Sequence, residues 1–442
     1  MKSIKLSLWF LLLGLCALWW RADLWVEIPS DFASWRSSLI NLTGALGIAA
    51  MSVALILAVR PARLEPFFGG LDKMYRLHRW LGITALTFAT LHWLLTQFPG
   101  WLIELGWLER SARIRAPAPT EPVLRWLQSQ HGLAEGLGEW AYYTAVMLIV
   151  LALVKWFPYR LFFKTHRLLA VTYLVLVYHS VVLMKPVYWD ALLGPVIGFL
   201  MLGGSFAAFV ILLRRIGLSR RTLGIVESVT FHAPVRVLEV AVQIKGHWPG
   251  HASGQFGFVT FDTHEGAHPF TTSSAWSDDG QMKFLIKDLG DYTRTLPRHL
   301  KPGDPVTIEG PYGQFNFNDS HQRQIWVGGG IGITPFLARL DELKVNGSKE
   351  PVDLFYATAS AYNLAIRQLR VMAREAGVTL HVIEEAKDGR LTAKRICELV
   401  PNWQTGDIWF CGPKAFGRSL QQDFAKWGLA RNHFHEELFD LR

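Results

Sequence analysis

The first half of the chain is built from long apolar runs, whereas the second half alternates short apolar runs with charges and glycines. Six apolar segments precede residue 214. Most of them are close to the length of about 20 residues that an α-helix needs to cross a bilayer. They cover residues 4–20, 39–59, 78–98, 140–157, 166–184 and 191–213. The pattern predicts six membrane-spanning helices followed by a soluble part.

The first segment is short and follows Lys2 and Lys5, so a cleaved signal peptide is the alternative to a span. A small-residue cleavage site does not follow it cleanly, and six crossings return both chain ends to one side. We therefore expect a retained span.

The basic residues between the segments predict the orientation. One side carries Arg60, Arg63, Lys73, Arg76, Arg79, Arg160, Lys164, Arg167, Arg214, Arg215, Arg220 and Arg221. The other side carries Arg21, Arg36, Arg110, Arg113, Arg115, Arg125 and Lys185, together with Glu104, Glu109, Glu121 and Glu135. The first side is expected to be cytosolic, which places both termini in the cytosol and the protein in the inner, or cell, membrane.

The net charge of +9 would suggest nucleic-acid binding in a soluble protein. Here many of the basic residues flank apolar segments, so the bilayer surface is the expected partner and nucleic acid is not. The three cysteines, Cys16, Cys397 and Cys411, imply no disulfide framework. The soluble part is expected to be cytosolic and reduced.

Four histidines lie in the apolar segments, where a polar side chain needs a partner or a function. His78 and His92 are 14 residues apart on the third segment, and His166 and His179 are 13 apart on the fifth. At about 1.5 Å per residue each pair spans about 20 Å, which suits two stacked haems with imidazole ligands. We predict that His78 pairs with His166 near the cytosol and that His92 pairs with His179 near the outer face. A core histidine satisfied by a hydrogen bond is the alternative for any one of them, and the matched quartet argues against it.

The 13-residue spacing conflicts with an ideal helix, because it leaves His179 about 140° round from His166. We expect the fifth segment to deviate, and 3₁₀ tightening, tilt and different haem rotations remain open alternatives. Phe88 and Tyr173 lie at the depth between the two predicted haems, where packing is the expected role.

The soluble half predicts two further folds. Residues 222–317 contain short β-rich runs broken by turns, which indicates an antiparallel barrel. Beyond residue 322, apolar runs alternate with helical stretches, which indicates βαβ units and a parallel sheet. The expected protein is multi-domain, with an all-α haem domain at 1–213, a β-barrel at 214–320 and an α/β Rossmann-like domain at 321–442.

Several motifs in this half carry chemistry. HPFTTSSAW, beginning at His268, offers an imidazole, an aromatic face and hydroxyls that suit a flavin and its pyrophosphate. IKDLGDYT adds Lys287 and Thr293, and GPYGQF, beginning at Gly310, allows close backbone approach. GGGIGITP, beginning at Gly328, follows a predicted strand and opens a helix, so its N–H groups suit a dinucleotide pyrophosphate.

With these motifs, FCGP from Phe410 and the C-terminal HEELF, the chain resembles the NADPH oxidase and ferric reductase superfamily, in which a six-span haem domain is fused to a ferredoxin-NADP reductase-like module. The resemblance covers nearly the whole chain. It implies an FAD site at His268, Pro269, Phe270, Thr271 and Ser274, with Phe270 against the flavin ring, Thr271 near its redox edge, and Lys287 and Thr293 near the phosphates.

The resemblance also implies a nicotinamide nucleotide site. Its expected residues are Gly328, Gly329, Gly330, Gly332, Thr334 and Pro335 for the dinucleotide, Cys411, Gly412 and Pro413 beside the nicotinamide, and Glu437 and Phe439 over the flavin. Thr271, Cys411 and Phe439 would take part in the reaction, although a buried small residue is the alternative for Cys411.

Two departures limit the resemblance. The chain continues to Arg442 beyond Phe439, and Tyr292 stands where the family has tryptophan, which disfavours the animal oxidase subgroup. The stretch after FYATAS lacks an acidic residue for a ribose 2′-hydroxyl, which favours NADPH, yet no arginine for a 2′-phosphate is evident, so NADH stays open.

The expected activity is that of an NAD(P)H oxidoreductase, which transfers electrons through FAD and two haem b groups to an acceptor outside the cytosol. Dioxygen, giving superoxide, is the first expectation for that acceptor. A ferric or cupric chelate is the alternative, and a relay subunit serving a protein partner is the third. The loop at 99–138 covers the exit and would decide access.

Overall fold

The computed structural model describes residues 2–25, 28–107, 120–154, 157, 159–317, 322–359 and 362–437. The chain forms two compact units, one of residues 1–68 and 73–216, the other of residues 69–72 and 217–442.

The first unit is helical. Its helices are α1 Lys2–Trp19, α2 Phe32–Ala58, α3 Glu65–Phe68, α4 Leu71–Glu104, α5 Pro122–Ser129, α6 His131–Leu153, α7 Tyr159–His166, α8 Leu168–Leu183, α9 Val187–Asp190 and α10 Leu193–Leu212. A π-helical turn, Trp20–Leu24, continues α1.

Six helical regions in the described residues are long and apolar enough to cross a membrane, as predicted. They are Ser3–Leu24, Phe32–Ala58, Leu71–Glu104, His131–Leu153, Leu161–Leu183 and Leu193–Leu212. The third is the longest, because polar residues at its start extend the helix beyond the apolar segment. At about 1.5 Å per residue, its 34 residues exceed the thickness of the hydrocarbon layer.

Tyr173 of α8 ties three helices together. Its side chain is fully buried, its hydroxyl lies 2.8 Å from Ser52 Oγ of α2, and it donates to the Met201 carbonyl of α10 at 3.2 Å. A Cβ on Gly204 would overlap with this hydroxyl, so α10 needs glycine there. Tyr173 therefore packs between the helices, as expected, and its hydroxyl contacts both α2 and α10.

The fifth span deviates from an ideal helix, as the 13-residue spacing predicts. Helix α7 ends at His166, and α8 begins at Leu168. Between them Arg167 has φ −64° and ψ −26°, and its carbonyl accepts from Ala170 N–H at 3.1 Å. This three-residue hydrogen bond and these dihedrals are those of a 3₁₀ turn, one of the three alternatives.

The second unit begins with an antiparallel barrel. Its strands are β1 Arg221–His232, β2 Val237–Ile244, β3 Phe256–Thr260, β4 His268–Thr271, β5 Gln281–Lys287 and β6 Pro305–Tyr312, with α11 Asp291–His299 before β6. The order is β4-β3-β6-β1-β2-β5. A bridge between Thr272 and Phe284 joins the two edge strands and closes the barrel.

A parallel sheet follows, as predicted from the alternating pattern. Its strands are β7 Arg323–Gly329, β8 Val352–Thr358, β9 Thr379–Glu384, β10 Gly406–Cys411 and β11 Phe434–Glu436. The helices between them are α12 Thr334–Asn346, α13 Asn363–Glu375, α14 Glu385–Asp388, α15 Ala393–Leu399 and α16 Lys414–Lys426.

The strand order is β11-β10-β7-β8-β9. The chain adds β8 and β9 on one side of β7 and then β10 and β11 on the other side, so a topological switch point lies between β7 and β10. Ligands of open α/β sheets bind outside the carboxyl ends of the strands at such a switch point. The strand order alone therefore indicates a ligand site at the carboxyl ends of β7 and β10.

Candidate functional site

The four intramembrane histidines form two cross-helix pairs. The ring centroids of His78 and His166 are 5.9 Å apart, and those of His92 and His179 are 6.1 Å apart. Both pairs join α4 to the fifth span in the combination that the spacing predicts.

Helix α2 fixes the orientation of both α4 histidines. His78 Nδ1 donates to the Ala54 carbonyl at 2.9 Å, and His92 Nδ1 donates to the Ile40 carbonyl, also at 2.9 Å. The two carbonyls are 14 residues apart on α2, just as the two histidines are on α4. Because a carbonyl only accepts, Nδ1 carries the hydrogen in both rings, and Nε2 keeps a lone pair for a ligand.

Two glycines make room for the pair formed by His92 and His179. His179 Nδ1 donates to the Ala134 carbonyl at 2.8 Å, and a Cβ on Gly138, one turn along α6, would overlap with the imidazole. A Cβ on Gly44 of α2 would approach His92 Nδ1 to 3.2 Å. In the other pair, His166 Nδ1 is buried and makes no hydrogen bond with any described residue.

The histidine pairs fit haem. Centroid distances of 5.9 and 6.1 Å leave room for one metal ion between the two rings, so each pair would hold one haem iron through its imidazoles. A metal-bound histidine usually donates the N–H of its other ring nitrogen to an acceptor such as a backbone carbonyl. The described residues contain no cluster of three or more His, Cys, Asp or Glu that would suit another metal.

The HPFTTSS segment places three rings side by side on the barrel. His268 stacks on Tyr292 with centroids 4.4 Å apart and an interplanar angle of 19°, and it lies 6.4 Å from Phe270 at 23°. Burial lowers the pKa of His268 to about 4, so the imidazole is neutral at physiological pH. Tyr292 thus provides the aromatic surface that the family has in tryptophan.

The hydroxyls around this stack differ in what they contact. Thr271 is buried, and its Oγ1 makes no hydrogen bond in the described part of the chain, which suits a donor or acceptor supplied by a flavin. Ser274 Oγ accepts from Lys283 N–H at 3.1 Å. Thr293 Oγ1 accepts from Leu289 N–H and Gly290 N–H at 3.1 Å each, so this hydroxyl closes the turn before α11.

The glycine-rich loop packs directly against the FCGP turn. Gly328 of β7 pairs with Cys411 of β10, and a Cβ on Gly332 would overlap with the Cys411 carbonyl. Gly330 has φ +58° and lies in the 3₁₀ turn that leads into α12. The two motifs that the sequence predicts for the nicotinamide nucleotide therefore meet at the switch point of the sheet.

The Glu437 carboxylate influences the thiol of Cys411 electrostatically. Cys411 is fully buried, burial raises the pKa of its thiol, and the neighbouring Glu437 carboxylate raises it further. The thiol is therefore protonated at neutral pH. Phe439, the predicted cover of the flavin, lies outside the described residues.

Lys287 lies nearer the glycine-rich loop than the sequence suggests. Its Nζ is 3.9 Å from the position of a Cβ on Gly330. The ammonium group thus lies between the barrel motif and the loop predicted to hold the second nucleotide.

Sequence reasoning missed the supporting contacts of the site. The carbonyls of Ile40, Ala54 and Ala134 have no side-chain signature, although small residues four apart, such as Ala134 and Gly138, indicate a close helix approach. It also missed the ion pair between Lys185 and Asp23 at 2.7 Å, in which Ser38 also contacts the carboxylate.

Two families match this chain. The family described as "Ferric reductase like transmembrane component" matches residues 43–177, and the one described as "FAD-binding domain" matches residues 230–316. The first match contains His78, His92 and His166 and stops two residues before His179. The chain therefore has a ferric reductase-like membrane part joined to an FAD-binding part, and it is an integral membrane protein.

Two curated relatives illustrate both parts. The reductase component of propane 2-monooxygenase from Mycolicibacterium goodii is 28% identical over 131 residues, which cover 28% of this chain and 38% of that protein. The chloroplastic ferric reduction oxidase 7 of Arabidopsis thaliana is 27% identical over 291 residues, which cover 61% of this chain and 35% of that protein. The match thus spans little more than a third of each relative.

Among solved structures, the flavohemoglobin of Malassezia yamatoensis aligns with 91% of this chain and 98% of its own. The TM-score is 0.47 and the identity is 16%. The FAD-binding family match covers most of the barrel, and the parallel sheet that follows has the doubly wound strand order.

Proposed function

We propose that this member of the ferric reductase and NADPH oxidase superfamily transfers electrons from cytosolic NADPH, or NADH, through FAD and two haem b groups to an acceptor outside the cytosol. The observation that carries the proposal is the pair of histidine sites, with ring centroids 5.9 and 6.1 Å apart and three of four Nδ1 atoms bound to carbonyls. We assign the haem domain to residues 1–213, the FAD domain to 214–320 and the NAD(P)H domain to 321–442.

On the cytosolic side, the chain holds the two nucleotides next to each other. Gly328, Gly329, Gly330 and Gly332 bring backbone against the dinucleotide, and Thr334 and Pro335 begin the helix behind it. Phe270 supports the flavin ring, and Thr271 offers its buried hydroxyl at the redox edge. FAD, when bound, accepts a hydride and gives up electrons singly.

Cys411 and Glu437 complete this arrangement. With its thiol protonated, the buried Cys411 would leave the place beside the nicotinamide uncharged, next to Gly412 and Pro413. Glu437 precedes the predicted cover Phe439 and brings a carboxylate to the same place.

Within the membrane, α4 and the fifth span hold the histidines at two depths about 20 Å apart along the helices. The basic residues flanking the spans support a cytosolic position for His78, His166 and both chain ends. We expect the protein in the inner, or cell, membrane.

Dioxygen is the proposed acceptor, so that one NADPH and two dioxygen molecules give NADP⁺, a proton and two superoxide ions. Two of the basic residues expected on the outer side support this choice over an anionic chelate. Lys185 is bound to Asp23, and Arg36 donates to the carbonyls of Leu95 and Thr96. These two positive charges are thus used within the protein.

A ferric or cupric chelate is the second candidate, and the match to the ferric reductase-like family favours it. A relay that serves a protein partner is the third, and the experiment below would expose it.

The test is a haem spectrum of the purified full chain, loaded with FAD and reduced by NADPH without oxygen. Reduced bis-histidine bands that disappear on admission of air, with superoxide formed, are expected. Faster reoxidation by ferric citrate than by air would move the assignment to a chelate reductase, and reoxidation by neither would favour the relay. A preparation without haem bands would overturn the proposal.

A further inference from the structure

The end of the HPFTTSSAW motif is held by a histidine from the loop before β3. His251 Nε2 donates to the Ser274 carbonyl at 3.1 Å, and the indole N–H of Trp248 donates to His251 Nδ1 at 3.4 Å. Because a carbonyl only accepts, the hydrogen of the imidazole is on Nε2. Ser274 Oγ accepts from Lys283 N–H of β5. The backbone that follows Thr271 is therefore fixed both by this loop and by β5.

The same loop is tied to α12, the first helix of the parallel sheet. Ser253 is 3% exposed, and its Oγ donates to Glu342 Oε2 at 2.7 Å. The other carboxylate oxygen of Glu342 accepts from Arg339 Nη1 at 2.9 Å. Next to Ser253, Gly254 has φ +92°, and a Cβ on it would overlap with the Phe315 carbonyl. The loop therefore packs closely where Glu342 binds it.

A second hydrogen bond joins the same turn of α12 to the motif itself. Ala275 N–H donates to Asp341 Oδ2 at 3.3 Å. Asp341 and Glu342 are consecutive residues, whereas Ser253 and Ala275 lie in two different connections of the barrel. One turn of helix thus binds both the motif and the loop that supports it. We call these four residues the latch.

Helix α12 also begins where the glycine-rich loop ends. The 3₁₀ turn Gly330–Ile333 leads directly into Thr334, the first residue of the helix. Glu342 lies eight residues further on, which is about 12 Å along the helix axis. A helix is a stiff connection over this distance. The latch and α12 therefore link the loop predicted to hold the dinucleotide to the motif predicted to hold the flavin.

We propose that Asp341 and Glu342 are positioning residues, which hold the flavin motif in register with the glycine-rich loop and thereby align the nicotinamide with the flavin. They act through Ala275 and Ser253. Hydride transfer depends on the placement of the two rings, and a displacement of about 1 Å can slow a reaction about hundredfold. This consequence rests on the proposed function, whereas the latch itself does not.

The contact of α12 with α13 supplies a matched control. Lys344 Nζ of α12 lies 3.0 Å from Glu375 Oε2 of α13. Within the described ranges, no hydrogen bond or ion pair joins Glu375 to the barrel. Glu375→Ala therefore removes a carboxylate contact of the same helix and leaves the latch intact.

The first test is hydrogen exchange of the full chain in detergent with FAD bound, at one fixed pH. Peptides that cover residues 270–276 should exchange about tenfold faster in Asp341→Ala and in Glu342→Ala than in the wild type, the change expected when a charge-assisted hydrogen bond is lost. Adding Ser253→Ala to Glu342→Ala should change nothing more, because both remove the same hydrogen bond. Glu375→Ala should exchange as the wild type does.

The second test is the rate of flavin reduction by NADPH without oxygen. At saturating NADPH the rate should fall at least about tenfold in Asp341→Ala and Glu342→Ala, while the NADPH concentration for half-maximal rate stays within about twofold. Glu342→Gln keeps an acceptor oxygen for Ser253, so its rate should lie between those of Glu342→Ala and the wild type. Glu375→Ala should keep the wild-type rate.

Unchanged exchange in Glu342→Ala, or an equal change in Glu375→Ala, would overturn the latch. Faster exchange without slower flavin reduction would overturn the positioning role. The exchange measurement does not require electron transfer. A wild-type chain whose FAD is reduced by neither NADPH nor NADH would therefore refute the proposed function, and the exchange result would still decide whether the latch exists.

Discussion

At the scale of single residues, Gly138 lies against the imidazole of His179 and leaves no space for a side chain. We predict that Gly138→Ala displaces this ring from the Ala134 carbonyl and removes the outer haem, so that haem content falls from two to about one per chain. Haem content by the pyridine haemochrome spectrum, relative to protein, measures the change.

The control for this variant is two residues away on the same helix. A Cβ on Gly136 would have nothing within 4 Å, so Gly136→Ala makes the same chemical change without a clash. It should retain both haems. Equal haem loss in both variants would mean that helix α6 itself, rather than the contact with His179, is responsible.

The residues that could be predicted from the sequence are those whose chemistry stands out from their surroundings. The four histidines stand out because imidazole is costly in a bilayer. Thr293 stands out through its motif, yet the structure uses its hydroxyl to close a turn, a local geometry that the motif does not encode. The contact between Asp407 Oδ1 and His433 Nδ1, at 3.0 Å, was missed because it joins two parts of the chain that the sequence does not align.

At the scale of elements, Pro99 creates a defect in α4 that Arg36 of α2 repairs. Proline has no N–H, so the Leu95 carbonyl lacks its normal partner in the helix. Arg36 Nε donates to this carbonyl at 2.7 Å, and Nη2 donates to the Thr96 carbonyl at 3.2 Å. The guanidinium group therefore joins the two helices one turn beyond His92.

We predict that Arg36→Gln lowers the free energy of unfolding of the membrane unit by about 1–3 kcal/mol, because two partly buried carbonyls lose a charged donor. In a Pro99→Ala background, Arg36→Gln should lower the free energy of unfolding by less. Alanine restores the backbone N–H at this position, and this N–H can donate to the Leu95 carbonyl. Thermal unfolding in detergent, in a double-mutant cycle, measures the difference.

Arg125→Gln serves as the control in this cycle, because Arg125 is exposed and donates to the carbonyl of Thr120, which lies only five residues before it. It should change the unfolding midpoint little in either background. A cost of Arg36→Gln that is the same with and without the Pro99→Ala substitution would contradict the repair.

The elements themselves were predicted where a long periodic pattern fixes them. Each of the six apolar segments coincides with a helical span in the described part of the chain, and the alternation of short strands and helices gives the parallel sheet. The sequence predicted that the fifth span deviates from an ideal helix, but it did not predict the 3₁₀ turn or its position at Arg167. The spacing of two histidines constrains the rotation between them, and it does not indicate which residue accommodates that rotation. The π-turn after α1 has no sequence pattern that would distinguish it from the helix it continues.

At the scale of the whole molecule, the two-part organisation followed from composition alone, because a bilayer and a soluble sheet require different hydrophobic patterns. The strand order was not predictable in the same way. It depends on which side of β7 the strand β10 joins, and that choice places the glycine-rich loop and the FCGP turn together at the switch point.

The proposed route has an order, and the two histidine pairs allow that order to be tested. Replacing His92 or His179 with leucine should stop the delivery of electrons to an outer acceptor. The haem site of His78 and His166 and the cytosolic module should still accept electrons. Replacing His78 or His166 should stop every transfer beyond the flavin. Anaerobic reduction by NADPH, with flavin and haem absorbance recorded separately, distinguishes the two classes of variant.

His131→Leu is the matched control, since this exposed histidine begins α6 and belongs to neither pair. It should behave as the wild type in both absorbance traces. Because the flavin contacts lie in the barrel and the haem ligands in the helical unit, flavin reduction should stay within about twofold of wild type in all four leucine variants. If flavin reduction were lost in the His92 variant while the barrel remained folded, the histidines would not lie downstream of the flavin, and the linear route would have to be abandoned.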